Sequence, residues 1–148
     1  MKVDFWQLSS DPVEKVVALI AARVLGQDER LLIVAKDADQ RKQLSRGLWQ
    51  AGPDSFLANG EAGADESKRQ PILLSAENDP KNGAENAASH VIYADGEWRG
   101  ADGFDRAFLL FDDSNVEAAR ATWRSLDGGE DMERSFFRQE AGKWVKVA

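Results

Sequence analysis

An uninterrupted apolar run at residues 31–35 constrains the fold of this chain more than any other stretch. The run reads Leu-Leu-Ile-Val-Ala and contains no polar side chain. It is too short for a helix, and a strand without polar alternation is typical of a sheet that helices cover on both faces. We therefore predict a buried strand at this position.

A helix start follows the strand. Asp37 can accept hydrogen bonds from the free backbone N–H groups of the next turn, and Gln40 can reach back to the N–H of Asp37. Leu44 and Leu48 then recur at helical spacing, and the Gly-Pro pair at 52–53 ends the helix. The sequence thus predicts a strand followed directly by an amphipathic helix.

The rest of the chain repeats this alternation. Further strands are predicted at 3–8, 71–74, 90–94, 107–111 and, as a final edge strand, 144–147; further helices are predicted at 12–26 with Asp11 as N-cap, 84–89, from the capping residues 112–115 to about 126, and 130–138. Residues 58–70 are small, polar and charged, which predicts a mobile surface loop. We expect one α/β domain over 1–148, a Rossmann-like open and mostly parallel sheet with helices on both faces.

Composition narrows the classes of function. The net charge is −7, from 26 acidic and 19 basic residues, which opposes sequence-independent binding to nucleic acid unless the basic residues cluster. No segment approaches the ~20 apolar residues that cross a membrane, and a signal-peptide layout is absent at the N-terminus, so we expect a cytoplasmic protein. The chain has no cysteine, which excludes disulfides and thiolate metal sites.

No motif for catalysis, a cofactor or a metal is evident in the sequence. The turn after the first strand, at 9–12, lacks the glycines of a dinucleotide site, and Walker and Gly-x-Ser-x-Gly sequences are absent. His90 has no histidine or cysteine partner for a metal, and helix capping explains Asp112 and Asp113 better than magnesium binding does. The alternative of a small α/β hydrolase or nucleotide-binding enzyme would require convergent polar groups near the carboxyl ends of the strands.

Two aromatic features are candidates for protein binding. Trp49 and Phe56 flank the helix break, where their rings either close the local core or form a docking patch. On the helix predicted from 112–115 to about 126, Arg120 lies about 60° from Trp123 around the helix axis. Its guanidinium would therefore lie beside the edge of the aromatic ring. The alternative is a solvated helix face on which Glu117 pairs with an arginine.

Several segments, in order, resemble the chi subunit family of bacterial DNA polymerase III. They are the opening strand at 3–8, the Leu-Trp…Pro-x-Ser-Phe-Leu turn at 48–57, Gln-Pro-Ile-Leu-Leu at 70–74, Phe-Asp-Arg at 104–106 with Phe-Asp at 111–112, Ala-Arg at 119–120 with Trp-Arg at 123–124, and Gly-Lys-Trp at 142–144. The resemblance implies a non-enzymatic adaptor that links the clamp loader to single-stranded DNA-binding protein.

The resemblance also implies two sites. The acidic C-terminal tail of single-stranded DNA-binding protein would bind at Arg120, Trp123 and Arg124, where an apolar pocket takes the terminal phenylalanine and a guanidinium takes the carboxylate. Family members can carry a lysine one turn earlier, where Val116 stands here. The resemblance then implies either a lower affinity for the tail or a second charge from Arg124, Arg134 or Arg138.

The second site is the turn that contains Trp49, Pro53 and Phe56. In chi proteins it receives the psi subunit of the clamp loader or, in competition, an XPD-like helicase. We expect Phe56→Ala to fold and to lose this partner. A histidine of the family is replaced by Asn59 here, which leaves that position without an implied role.

Overall fold

The computed structural model describes residues 1–50, 57–63, 67–77, 86–100, 102–127 and 132–148. The strands are β1 (Lys2–Gln7), β2 (Leu31–Val34), β3 (Asn59–Glu61), β4 (Ile72–Ser75), β5 (His90–Tyr93), β6 (Arg106–Phe111), β7 (Glu133–Glu140) and β8 (Lys143–Lys146). The helices are α1 (Val13–Gly26), α2 (Ala38–Trp49) and α3 (Val116–Ser125).

The strands form one sheet in the order β3-β4-β2-β5-β6-β1-β7-β8. All neighbours pair in parallel except β7 and β8, which are antiparallel at the edge. Helices α1 and α2 pack on one face of the sheet, and α3 packs on the other. The predicted Rossmann-like, mostly parallel sheet with helices on both faces is confirmed.

The apolar run at 31–35 supplies β2, an interior strand that is buried as its composition predicts. Leu31 and Ile33 face α1 and α2, whereas Leu32 and Val34 face the α3 side, and each is at most 2% exposed. Because both faces are covered, alternation with polar residues would bury unpaired polar groups. The six strands predicted from sequence all lie within one residue of their observed ends.

The starts of the helices follow the sequence only in part. Asp37 caps α2 as predicted, since its Oδ1 accepts from the N–H of Asp39 at 3.1 Å. The predicted reach of Gln40 back to Asp37 is wrong, because its Nε2 donates to the Ala94 carbonyl at 3.1 Å. Pro12, not Asp11, occupies the N-cap position of α1.

The largest error concerns residues 130–138, where a helix was predicted and β7 is observed. Phe136 and Phe137 point to opposite faces of the sheet, as adjacent residues of a strand do, and stack against Phe5 and Trp6 respectively. Residues 133–138 of β7 pair in parallel with the whole length of β1, and this pairing therefore decides the conformation of the segment.

Two other predicted segments also differ. Residues 86–89, in the second half of the helix predicted at 84–89, are not helical; the Asn86 side chain instead donates to the carbonyls of Leu31 and Gln70. Residues 84 and 85 lie outside the described part of the chain. Within 58–70, the stretch predicted as a loop, the structure contains β3 and a short 3-10 helix at Ser67–Arg69.

The turn between β1 and α1 is held by one side chain from β7. The Oε1 of Gln139 accepts from the backbone N–H groups of Ser9, Ser10 and Asp11 at 3.2–3.3 Å, and its Nε2 donates to the Asp11 carboxylate at 2.8 Å. Gln139 is 4% exposed. Three successive N–H groups thus converge on one buried amide oxygen.

We expect Gln139→Met to lower the free energy of unfolding by about 1–3 kcal/mol, because the side-chain volume is kept while three backbone donors lose their buried acceptor. Urea denaturation measures this change. Gln43→Met, at an exposed position on α2, is the matched control and should be close to neutral. Equal effects at the two positions would contradict the role of Gln139.

Candidate protein-binding surfaces

Helix α3 attaches to the sheet by the apolar stripe that its sequence predicts. Ala119 is buried, and Val116, Trp123 and Leu126 pack partly buried against the core on that face. The helix follows a short 3-10 helix at Asp113–Asn115, whose start is capped by the Asp112 carboxylate. Capping is therefore the observed role of Asp112.

Trp123 belongs to an aromatic cluster beneath α3. Its ring meets Phe5 edge-on at 5.2 Å and Phe136 edge-on at 5.9 Å between centroids. The guanidinium of Arg134 lies 4.2 Å from the Trp123 ring centroid, donates to the Trp123 carbonyl, and also donates to Asp127 at 3.2 Å. The cation stacked on Trp123 is thus Arg134 of β7, not Arg120.

Arg120 stands at the surface beside this cluster. Its side chain is 58% exposed, and its Nη1 donates to Glu117 Oε1 at 3.1 Å, which is the pairing foreseen in the alternative reading. An exposed pair of this kind contributes only about 0–1 kcal/mol, so another carboxylate can replace Glu117 at little cost. Arg124 is also exposed, and its side chain makes no hydrogen bond or ion pair within the described ranges.

Trp49 ends α2 on the opposite side of the sheet. It is 46% exposed, because Leu48 occupies the buried position of the last helical turn. Of the two alternatives for this aromatic, the exposure favours a docking patch over a core role. Pro53 and Phe56, the other two predicted residues, lie outside the described part of the chain.

A groove of about 550 Å³ lies between α1 and the C-terminal end of α2. Its lining is largely apolar and includes Leu19, Leu57 and Trp144. Leu19, in the middle of α1, is 40% exposed and adds apolar surface to this groove. The groove extends to Gln50, the residue that follows Trp49 in the chain.

A family model described as "DNA polymerase III chi subunit, HolC" matches residues 1–130. The chain belongs to the chi subunit family. Membership makes it an accessory subunit of DNA polymerase III.

No curated protein matches the chain. Among solved structures, it is similar to the C-terminal domain of the DEAD-box protein Dbp5, with a TM-score of 0.55, 13% identity, and coverage of 92% of this chain and 90% of that one. This likeness concerns the fold alone.

In this chi-family chain, a cleft of about 370 Å³ lies where Rossmann-like enzymes bind ligands, at the carboxyl ends of β1, β5 and β6. Three carboxylates line it, and each is already engaged. Asp11 accepts from Lys15 and Gln139, Asp112 accepts from Ser114, and Asp95 accepts from Arg99 at 2.6 and 2.9 Å.

The electrostatics of Asp95 keep it ionised. Burial raises its pKa, but hydrogen bonds from Arg99 and from the Lys36 backbone N–H outweigh burial and bring the pKa below its ordinary value. A general base near neutral pH needs a raised carboxyl pKa. Asp95 is therefore held as a structural ion-pair partner.

The backbone nest that would bind a phosphate is filled by Gln139. Converging N–H groups after the first strand of a Rossmann-like sheet are the usual phosphate contact. In this chi-family chain these donors belong to Ser9, Ser10 and Asp11, and they are satisfied by an amide oxygen of the same chain. A nucleotide would have to displace this buried side chain.

His90, the single histidine, is held in a hydrogen-bond chain. Ser89 Oγ donates to Glu29 at 2.6 Å, so the 2.7 Å contact with His90 Nδ1 must use a proton on that nitrogen. Burial lowers the pKa of His90, Glu29 opposes the shift, and Arg106 adds to it.

Over the described residues, no three His, Cys, Asp or Glu side chains gather to hold a metal. In that same part of the chain, the helices are too short or too polar to span a membrane.

We expect stability to fall as the pH drops through the unfolded histidine pKa near 6.5, because the unfolded chain then binds a proton that the folded chain resists. His90→Asn keeps a donor toward Ser89 and cannot titrate. Urea denaturation at about pH 7.5 and about pH 5.5 should therefore show a smaller loss for the variant than for the wild type. An identical loss in both proteins would contradict this assignment.

Proposed function

We propose that this polymerase III accessory subunit is a non-enzymatic adaptor that links the clamp loader to the acidic C-terminal tail of single-stranded DNA-binding protein. The observation that carries the proposal is the pair of exposed guanidinium groups, Arg120 and Arg124, on the helix that seats Trp123. The family match over residues 1–130 supports the same context.

The chemistry of the tail explains why α3 suits it. A terminal phenylalanine carboxylate needs a charge-assisted partner, and Arg120 becomes one by exchanging Glu117 for the peptide. Because Val116 cannot supply the lysine charge of other members, a second arginine is needed. Arg134 is committed to Trp123 and Asp127.

Arg124 is the best candidate for that second charge. Arg138, the other candidate, pairs with Glu140 at 2.6 and 3.0 Å. Arg124 is exposed and unpaired within the described segments, so it can turn to the peptide without first breaking a contact. The tail would then be gripped by Arg120 and Arg124 at the edge of Trp123.

The second surface would be the turn at Trp49, Pro53 and Phe56, which would receive the psi subunit or another partner such as an XPD-like helicase. The exposure of Trp49 and the apolar groove between α1 and α2 support this assignment. The two surfaces lie on opposite faces of the sheet, so both partners can bind at once. Two modest contacts joined by one rigid domain give a higher effective concentration than either alone.

The alternative, a small α/β hydrolase or nucleotide-binding enzyme, has weaker support. The cleft at the carboxyl ends of the strands exists, but Asp11, Asp95 and Asp112 are engaged there. The phosphate position is taken by Gln139. The adaptor is therefore the function that the geometry favours.

We expect Arg120→Ala to weaken binding of the tail by about tenfold or more, since a hydrogen bond to a charged group contributes about 1.5–3 kcal/mol. Fluorescence anisotropy of a labelled peptide with the sequence of the tail measures the affinity. The control is Arg23→Ala, which removes an exposed arginine of α1 on the other face of the sheet and should leave the affinity unchanged. Unchanged affinity in Arg120→Ala would remove the proposed site.

We expect Trp49→Ala to keep the melting temperature of the wild type and to lose about 2 kcal/mol or more of affinity for the psi subunit. The reason is that the ring is half exposed and contributes little to the core. Its buried neighbour is the contrast: Leu48→Ala should cost about 2–5 kcal/mol of stability. Full retention of psi by Trp49→Ala would overturn this interface.

A further inference from the structure

The exposed face of α2 carries two cations, Lys42 and Arg46, that the proposed adaptor function does not use, in line with Trp49. Lys42, Arg46 and Trp49 are all exposed. At about 100° per residue, Lys42 and Trp49 lie within about 20° of each other around the helix axis, and Arg46 lies about 40° from Lys42. We call this row of three residues the α2 stripe.

The two cations of the α2 stripe are not paired with an acidic side chain in the described part of the chain. Within the described ranges, the side chains of Lys42 and Arg46 make no hydrogen bond or ion pair. On the same helix, by contrast, Arg41 pairs with Glu61 at 3.2 Å. In a chain with a net charge of −7, two adjacent unpaired cations leave a local positive surface.

Trp49 adds apolar contact area beside these two cations. A half-exposed indole offers a large apolar area with little loss of conformational freedom on binding. Lys42 and Arg46 stand about 6 Å apart along the axis, and Trp49 lies about 10 Å from Lys42. The complementary ligand has two carboxylates one helical turn apart and an apolar side chain next to them.

We propose that the α2 stripe binds an acidic amphipathic segment of the partner that docks at Trp49. This inference rests on the proposed function in one respect, namely that Trp49 is a docking residue, and it adds the chemistry of the partner. Lys42 and Arg46 pair with the carboxylates, and Trp49 packs against the apolar side chain. The charge pairs set orientation and association rate, and the indole supplies most of the contact area.

Nucleic acid fits this surface less well than an acidic peptide does. A single strand draws affinity from many phosphate contacts along a basic track, and the stripe offers two cations. The net charge of −7 repels a polyanion more strongly than it repels a short peptide with two carboxylates. A peptide therefore gains from the stripe without meeting the rest of the acidic surface.

A charge swap tests the proposal. The probes are a fluorescein-labelled helical peptide with two glutamates one turn apart followed by leucine, and the same peptide with lysines in place of the glutamates. We expect the wild-type protein to bind the glutamate peptide, and K42E/R46E to bind it at least tenfold more weakly. K42E/R46E, in which the charges of the stripe are reversed, should in turn bind the lysine peptide. Anisotropy titrations at low and high salt measure all four combinations.

The matched control is K143E/K146E on β8, which changes the net charge by the same amount at two exposed lysines outside the α2 stripe. It should bind the glutamate peptide as the wild type does. If both double variants lose the same affinity for the glutamate peptide, the net charge alone explains the loss and the proposal is overturned. Failure of K42E/R46E to bind the lysine peptide would overturn it as well.

Two further measurements distinguish this proposal from a nucleic-acid surface at α2 and from binding of acidic peptides at α3. If labelled oligothymidylate binds more tightly than the glutamate peptide and is lost in K42E/R46E, the stripe is a nucleic-acid surface and the proposal is wrong. Arg120→Ala should leave the glutamate peptide unaffected. If Arg120→Ala weakens it and K42E/R46E does not, acidic peptides bind at α3 and the α2 proposal fails while the tail site stands.

Discussion

The simultaneous parallel pairing of β1 with β6 and β7 is the constraint on which both surfaces of this protein depend. The strand lies inside the sheet, and its alternate side chains face opposite helix layers. Phe5 meets Trp123 under α3, whereas Trp6 meets Phe137 and Trp144 on the α1 side. A shift of one residue in this register would exchange the two sets and detach α3.

The same pairing requires a buried charge to be neutralised. Asp4 is 3% exposed in the middle of β1, and Arg106 at the start of β6 donates to its carboxylate from two nitrogens. The Arg106 guanidinium also lies 5.0 Å from the Phe108 ring centroid. A buried carboxylate without such a partner would be strongly destabilising, so β1 and β6 are tied in register by charge as well as by backbone hydrogen bonds.

Local sequence patterns predicted the elements whose conformation depends on local causes. The run at 31–35 must be buried on both faces, and Asp37 caps the helix that follows by a contact two residues away. Segment 130–138 could not be assigned in this way, because Phe136 and Phe137 become neighbours of β1 only through pairing with a strand more than a hundred residues earlier. The three-residue β3 has no apolar pattern and exists only through its pairing with β4.

The candidate surfaces were predictable to the same extent. The helical spacing of Arg120 and Trp123 placed a guanidinium near an aromatic ring, but the stacking of Arg134 on that ring requires β7 and was hidden by the helix expected there. The exposure of Trp49 follows from helical periodicity once Leu44 and Leu48 take the buried positions, although tryptophan on average prefers burial. Gln139 has no motif that marks it, since its three partners lie at the far end of the chain.

The amide of Gln139 also bears on how an assembly containing this subunit can be controlled. In enzymes of similar architecture, the loop after the first strand changes with the presence or absence of a bound phosphate, and that change can be passed to neighbouring subunits. In this protein the donors of that loop are bound by Gln139 of its own sheet, so the loop is held without a phosphate. A neighbouring subunit that contacts this edge would therefore meet the same surface whether or not a nucleotide is present.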